Sequence, residues 1–151
     1  MFLSLLRLTV LGAAVATSAP GWAADRMQDL NSPLRGTRWT LQTLDGVAQA
    51  PVAGGTPVQL VLSRSAKQLS GHTGCNRLMG RYAQRGTLLT LSPLATTRMA
   101  CAEPQMKQEQ AVLAMLGQVD GYRIENRTLS LLQGEVVRAT WAAPATPPAT
   151  P

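Results

Sequence analysis

Most of the side chains on which enzyme chemistry depends are scarce in this chain of 151 residues, which has one histidine, one phenylalanine, two tyrosines, three tryptophans and two cysteines. The two cysteines, Cys75 and Cys101, form no Cys-x-x-Cys pair, so nothing nearby would tune a thiol for disulfide exchange. With His72 they make three potential metal ligands, where a structural zinc site takes four. Acidic residues number eight against fourteen basic ones. Glu103 and Glu109 are too separated to read as a catalytic carboxylate pair. The cations are almost all arginine, Lys67 and Lys107 being the only lysines, and they are scattered. Nucleic-acid binding asks for a clustered basic face with stacking residues or a known module. No run of five basic residues occurs and aromatics are sparse, which argues against it, while whether the arginines converge depends on the fold.

One apolar stretch near the start has a different meaning. Leu8 to Ala19 follows a short segment charged only by Arg7, Pro20 then breaks any helix, and Gly21-Trp22-Ala23 places small residues where a signal peptidase reads. A membrane span needs about 18 apolar residues or more, and this run is shorter. We read residues 1–23 as a cleaved export signal cut after Ala23, with Ala24 as the second choice. No cysteine stands at the cut to carry a lipid, so the product is expected to be periplasmic or secreted, with no transmembrane helix. The formal net charge of +6 reads first as solubility. Contact with anionic envelope material, lipid headgroups or polysaccharide, is the alternative.

The remaining chain reads as one domain. Residues 24–34 are a polar, loose lead-in, residues 35–142 the folded part, and residues 143–151 a Pro/Ala/Thr tail that cannot bury apolar surface. Alternation predicts strands at 38–43, with Trp39, Leu41 and Thr43 on one face, and at 58–62, with Val58, Leu60 and Leu62 inward. Further strands are expected at 69–73, 79–83, 87–91, 121–125, 128–132 and 136–141. The turns are at Asp45-Gly46, Ser65-Ala66-Lys67, Arg85-Gly86, Asn126-Arg127 and Gln133-Gly134. Ala50 to Pro57, with two prolines and two glycines, is a loop. One segment, 103–117, has mostly helical spacing through Met106, Val112, Leu113 and Leu116, with Pro104 suited to a first turn. The expected class is mainly β: seven or eight antiparallel strands curled into a barrel or half-barrel, with a single helix plugging or capping one end. The expected core is Trp39, Leu41, Leu60, Tyr82, Leu113, Leu116, Tyr122, Ile124, Leu129, Leu131 and Trp141.

The densest motif is Gly71-His72-Thr73-Gly74-Cys75-Asn76, followed by Gly80-x-Tyr82 and answered by Thr97-x-Met99-x-Cys101. An exported domain with one spaced cysteine pair suggests a structural cross-link, worth about 3.5 kcal/mol on the chain-entropy model. Gly71, Gly74 and Gly80 permit unusual backbone or close approach, and Asn76 suits a turn. Met99 and Met106 read as gap-fillers at the helix entry.

Together with Trp39-x-Leu41, the helix containing Glu109, and Tyr122-x-Ile124 before Leu129-x-Leu131, the residues Gly74, Cys75, Asn76, Gly80, Tyr82, Thr97, Met99 and Cys101 resemble the META domain, the HslJ-like family of bacterial envelope proteins. The resemblance covers about residues 35–142. It implies a compact, mostly antiparallel barrel-like fold with one helix, and association with heat shock, drug tolerance and the envelope. It implies no established catalytic residues. Many relatives are lipoproteins, whereas this chain carries a soluble export signal.

The expected function is therefore a non-catalytic envelope module without cofactor or metal, a monomer that binds an envelope protein, a polymer or a small molecule. The aromatic-lined barrel mouth could take an apolar ligand, or the 50–57 loop could dock on a partner. The alternative is a small hydrolase using Cys75 or Ser70 with His72. A cleft presenting His72 beside a free thiol would favour the enzyme, and a filled interior would favour surface recognition.

Overall fold

The computed structural model describes residues 32–51 and 54–145. The expected export signal at 1–23, residues 24–31 of the expected lead-in and residues 146–151 of the expected tail lie outside the described residues. The elements run β1 (Trp39–Leu44), β2 (Val47–Ala48), β3 (Gln59–Leu62), β4 (Gln68–His72), β5 (Arg77–Arg85), β6 (Leu88–Thr96), α1 (Glu103–Leu116), β7 (Gly121–Glu125), β8 (Thr128–Gln133) and β9 (Val136–Ala142).

All nine strands belong to one antiparallel sheet in the order β2-β1-β3-β4-β5-β6-β7-β8-β9. β1 also pairs with β9, through Leu41↔Trp141 and Leu44↔Ala139 among others, which closes the pairings into a ring. The weakest join is β6 with β7, where Leu88↔Gly121 is the single paired position. The strand beyond the expected seven or eight is β2, a two-residue return of the chain after the Asp45-Gly46 turn, paired through Thr43↔Ala48 and Leu44↔Val47.

Inward residues fill the ring. Trp39, Trp141, Leu60 and Leu129 are wholly buried, and Val112, Met115 and Leu116 of α1 join the same cluster. The Trp39 indole donates from Nε1 to the Leu34 carbonyl at 3.0 Å. Leu34 is itself core, Arg35 bridges to Leu62, and Ser32 N–H reaches the Asn126 carbonyl. Residues 32–34 are thus part of the fold, not of a loose lead-in, and at the other end buried Ala143 donates to the Arg127 carbonyl. Both ends are secured by backbone hydrogen bonds that no periodicity records.

Three details of the expected core change. A bulge between Leu41 and Thr43 turns Leu44 inward in place of Thr43. Tyr122 and Ile124 are only half-buried against the core, because β7 runs on past the start of β6 and, beyond the Tyr122 N–H bond to the Thr87 carbonyl, is paired on the β8 side alone. On α1 the inward stripe is Glu109, Val112, Met115 and Leu116, which leaves Leu113 half-buried at its side. Strands β5 and β6 are also longer than expected. The hairpin continues past Ser92-Pro93 to Leu78↔Thr96, and a bulge between Gly80 and Tyr82 accommodates the proline, which has no N–H to pair.

Asp45, in the β1–β2 turn, meets Arg138 of β9 with Nε to Oδ1 at 2.6 Å. The hydrogen bond from Arg138 holds the Asp45 carboxyl below the usual carboxylate range. A depressed carboxyl pKa means that this contribution to stability is present at neutral pH and fades as pH falls through the folded-state value. Thermal melting from pH 6 towards acid should therefore show Asp45→Asn converging on the parent protein. Parallel curves would contradict the linkage.

Candidate functional site

The Gly-Cys-Asn motif forms the turn between β4 and β5. Thr73 N–H donates to the Asn76 carbonyl at 2.9 Å, closing the turn, and Gly74 has φ +99°, a left-handed value that favours glycine. A Cβ on Gly74 would also lie 2.5 Å from Gln108 Oε1 of α1. The motif therefore brings the turn hard against the helix.

At the centre stands Asn76, 1% exposed. Its Nδ2 donates to Glu109 Oε1 at 3.0 Å, and its backbone N–H is shared between Glu109 Oε2 at 3.1 Å and Thr73 Oγ1 at 3.0 Å. Its Oδ1 accepts from Thr97 Oγ1 at 2.9 Å and from Met99 N–H at 2.7 Å. The Thr73 hydroxyl donates to Glu109 Oε2 in a short contact. One asparagine thus ties the turn to α1 on one side and to the 97–99 segment on the other. The Glu109 carboxylate, 7% exposed, is buried but supplied with three donor groups, as a buried charge requires.

The disulfide fastens the same segments. Cys75 and Cys101 are joined with Cα atoms 5.9 Å apart, and no described cysteine is free. Met106 Sδ lies 3.7 Å from Cys75 Sγ, filling space at the helix entry, while Met99 keeps its side chain 57% exposed. Of the other motif residues, Gly80 faces inward where a Cβ would strike the Pro93 carbonyl at 2.7 Å, and Tyr82 is buried with its hydroxyl donating to the Ser63 carbonyl at 2.6 Å. Thr73 and Glu109 are the members that sequence reasoning passed over. The signal was present: Glu109 falls on the same helical stripe as Val112 and Leu116, and a charge there demands a buried partner.

His72 is drawn into a local bond. Its Nδ1 accepts the Gly74 N–H at 3.1 Å, so in the neutral ring the proton sits on Nε2, making that nitrogen a donor. Ser70 and His72 share the outer face of β4, whereas Cys75 is buried in the turn. No cluster of three or more His, Cys, Asp or Glu side chains able to hold a metal occurs among the described residues.

A cleft of ≈ 220 Å³ lies between residues 49–51, Pro57 and Gln108 of α1, with Gln42 at its side and Leu41 beneath. Two adjoining depressions of ≈ 510 and ≈ 390 Å³ cross strands β3 to β5 and share Val61 and Ser70. No described helix is long and apolar enough to cross a membrane.

A family model described as the META domain matches residues 32–144. The chain belongs to the META domain family. Its span coincides with the segment closed by the β1–β9 pairing, and the Asn76 hub and the cross-link both lie within it. Among solved structures, this META domain is similar to a protein from Burkholderia xenovorans determined by NMR, with 31% identity over 93% of this chain and 100% of that one, and a TM-score of 0.61. A second NMR structure shares the fold at 24% identity and a TM-score of 0.56, over 72% of this chain and 89% of that one. No curated protein matches the chain.

Proposed function

We propose that this META domain is an exported, non-catalytic recognition module of the HslJ-like kind, acting through its surface in envelope stress or drug tolerance. The observation that carries the reading is the use made of the conspicuous residues. Both sulfurs are spent in the cross-link, Asn76 and Glu109 are saturated by mutual bonds, and His72 turns a donor nitrogen outward, where a general base for Ser70 would need an acceptor. The interior is occupied by Trp39, Trp141 and leucines, which supports recognition at the outer surface over an apolar ligand held inside the ring. The disulfide agrees with an oxidising compartment.

Expression of the full chain in a Gram-negative host tests the reading. The expected product is in the periplasmic fraction, shortened at Ala23, with no thiol open to alkylation under denaturing, non-reducing conditions. It hydrolyses no acyl ester. Retention in the cytoplasm with both thiols free would remove export. Esterase activity lost in Ser70→Ala and in His72→Ala would replace the module with the hydrolase.

A further inference from the structure

The outer face of strands β3 to β5 gathers three arginines among neutral polar side chains. Register sets three rows across it: Gln59, His72 and Arg77; then Val61, Ser70 and Met79; then Gln68 and Arg81. Arg38, just before β1, lines the same trough. Arg77, Met79 and Arg81 stand on one side of β5, so the two arginines are about 13 Å apart along the strand. Among the described residues the face carries Arg38, Arg77 and Arg81 and no carboxylate. Lys107, Arg123 and Arg138 are paired with Glu103, Glu125 and Asp45, whereas Arg38, Arg77 and Arg81, like Arg64, Arg85 and Arg98, are in no ion pair among the described residues. What distinguishes the three is that they gather on one face. Like charges gathered on one face without counter-charges cost self-repulsion, which an anionic partner would relieve.

We infer that this trough binds an extended anionic polysaccharide, with Arg38, Arg77 and Arg81 pairing to its charged groups and Gln59, Gln68, Ser70 and the His72 Nε2–H meeting its hydroxyls. The inference rests on the recognition reading above and names its partner class. Three observations select this occupant. The surface is two linked depressions, which suits a chain laid across the strands better than a flat bilayer. Neutral amides and hydroxyls stand between the cations, as a hydroxyl-rich ligand requires. No phenylalanine, tyrosine or tryptophan lines the trough, so it lacks the large stacking platform on which single-stranded nucleic acid is held.

The test uses the oxidised, mature chain and a heparin-derived oligosaccharide as probe, followed by calorimetry and by backbone amide shifts. Binding at about 50 mM salt should weaken steeply at higher ionic strength, as exposed ion pairs do. The triple variant Arg38→Gln, Arg77→Gln, Arg81→Gln should lose about tenfold in affinity or more, at roughly half a kcal/mol per exposed pair. The control Arg85→Gln, Arg123→Gln should change it less than about twofold. Shifts confined to β3, β4 and β5 complete the expected result. Equal losses in both variants, or shifts spread over the molecule, would reduce the effect to net charge and overturn the site. Tighter binding to phosphatidylglycerol vesicles than to the oligosaccharide, lost in Met79→Ser, would replace the polysaccharide by a membrane surface. An absence of binding with export and oxidised cysteines intact defeats this inference and leaves the recognition reading standing.

Discussion

Asn76→Ala should destabilise the domain by about 3–5 kcal/mol, read as a shift of the urea midpoint at nearly constant slope. The substitution removes the Nδ2 donor to Glu109 and the Oδ1 acceptor of Thr97 and Met99 together. What remains is a buried carboxylate with fewer donors and a Met99 N–H without its acceptor, and each deficit costs more than an ordinary hydrogen bond contributes. The nearby change Thr97→Val removes one donor to the same oxygen and should cost about 1 kcal/mol. Similar small losses in both variants would show that Asn76 is one contact among many, not the hub.

Replacing both cysteines by alanine should cost about 3.5 kcal/mol, since the cross-link closes a loop with a sequence separation of 26. The same loss should appear when the parent is unfolded in a strong reductant. Hub and cross-link fasten the same pieces of chain, the Thr73–Asn76 turn and the segment ending at Cys101. Their losses should therefore depart from additivity by about 0.5 kcal/mol or more when combined with Asn76→Ala. Purely additive losses would mean that the two devices act on separate parts of the fold. A cysteine variant as stable as the parent would make the bridge incidental.

Strand positions were legible wherever one face alternates strictly. The expected strands 121–125, 128–132 and 136–141 differ from β7, β8 and β9 by at most one residue at an end. The helix was legible from its spacing and from Pro104 in its first turn. Legibility failed where pairing overrides alternation. The bulge that exchanges Thr43 for Leu44 depends on how β1 meets β9, nearly one hundred residues away in the chain. Leu34 reads as an isolated apolar residue in a polar stretch until its carbonyl is seen taking the Trp39 indole N–H.

The motif divided in the same way. Cys75 and Cys101 advertise their pairing, because two spaced cysteines in a chain expected to be exported have one bridge to make. Thr73 and Glu109 do not, since a threonine and a glutamate are ordinary surface residues until a turn and a helix are packed together. Glu109 was discounted as half of a catalytic carboxylate pair, when its partner is the Asn76 amide and not a second acid.

By itself the sequence determined the β-rich class, the place of α1, the sulfur pairing and the family, because these depend on local periodicity and on residue types with few alternative uses. Only the tertiary structure decided that the strands close on themselves through β1 and β9, that Asn76 and Glu109 meet, and that Arg38, Arg77 and Arg81 gather on a face without acids. Those outcomes depend on register between strands far apart in the chain. A shift of one residue in any pairing would send each side chain to the opposite face.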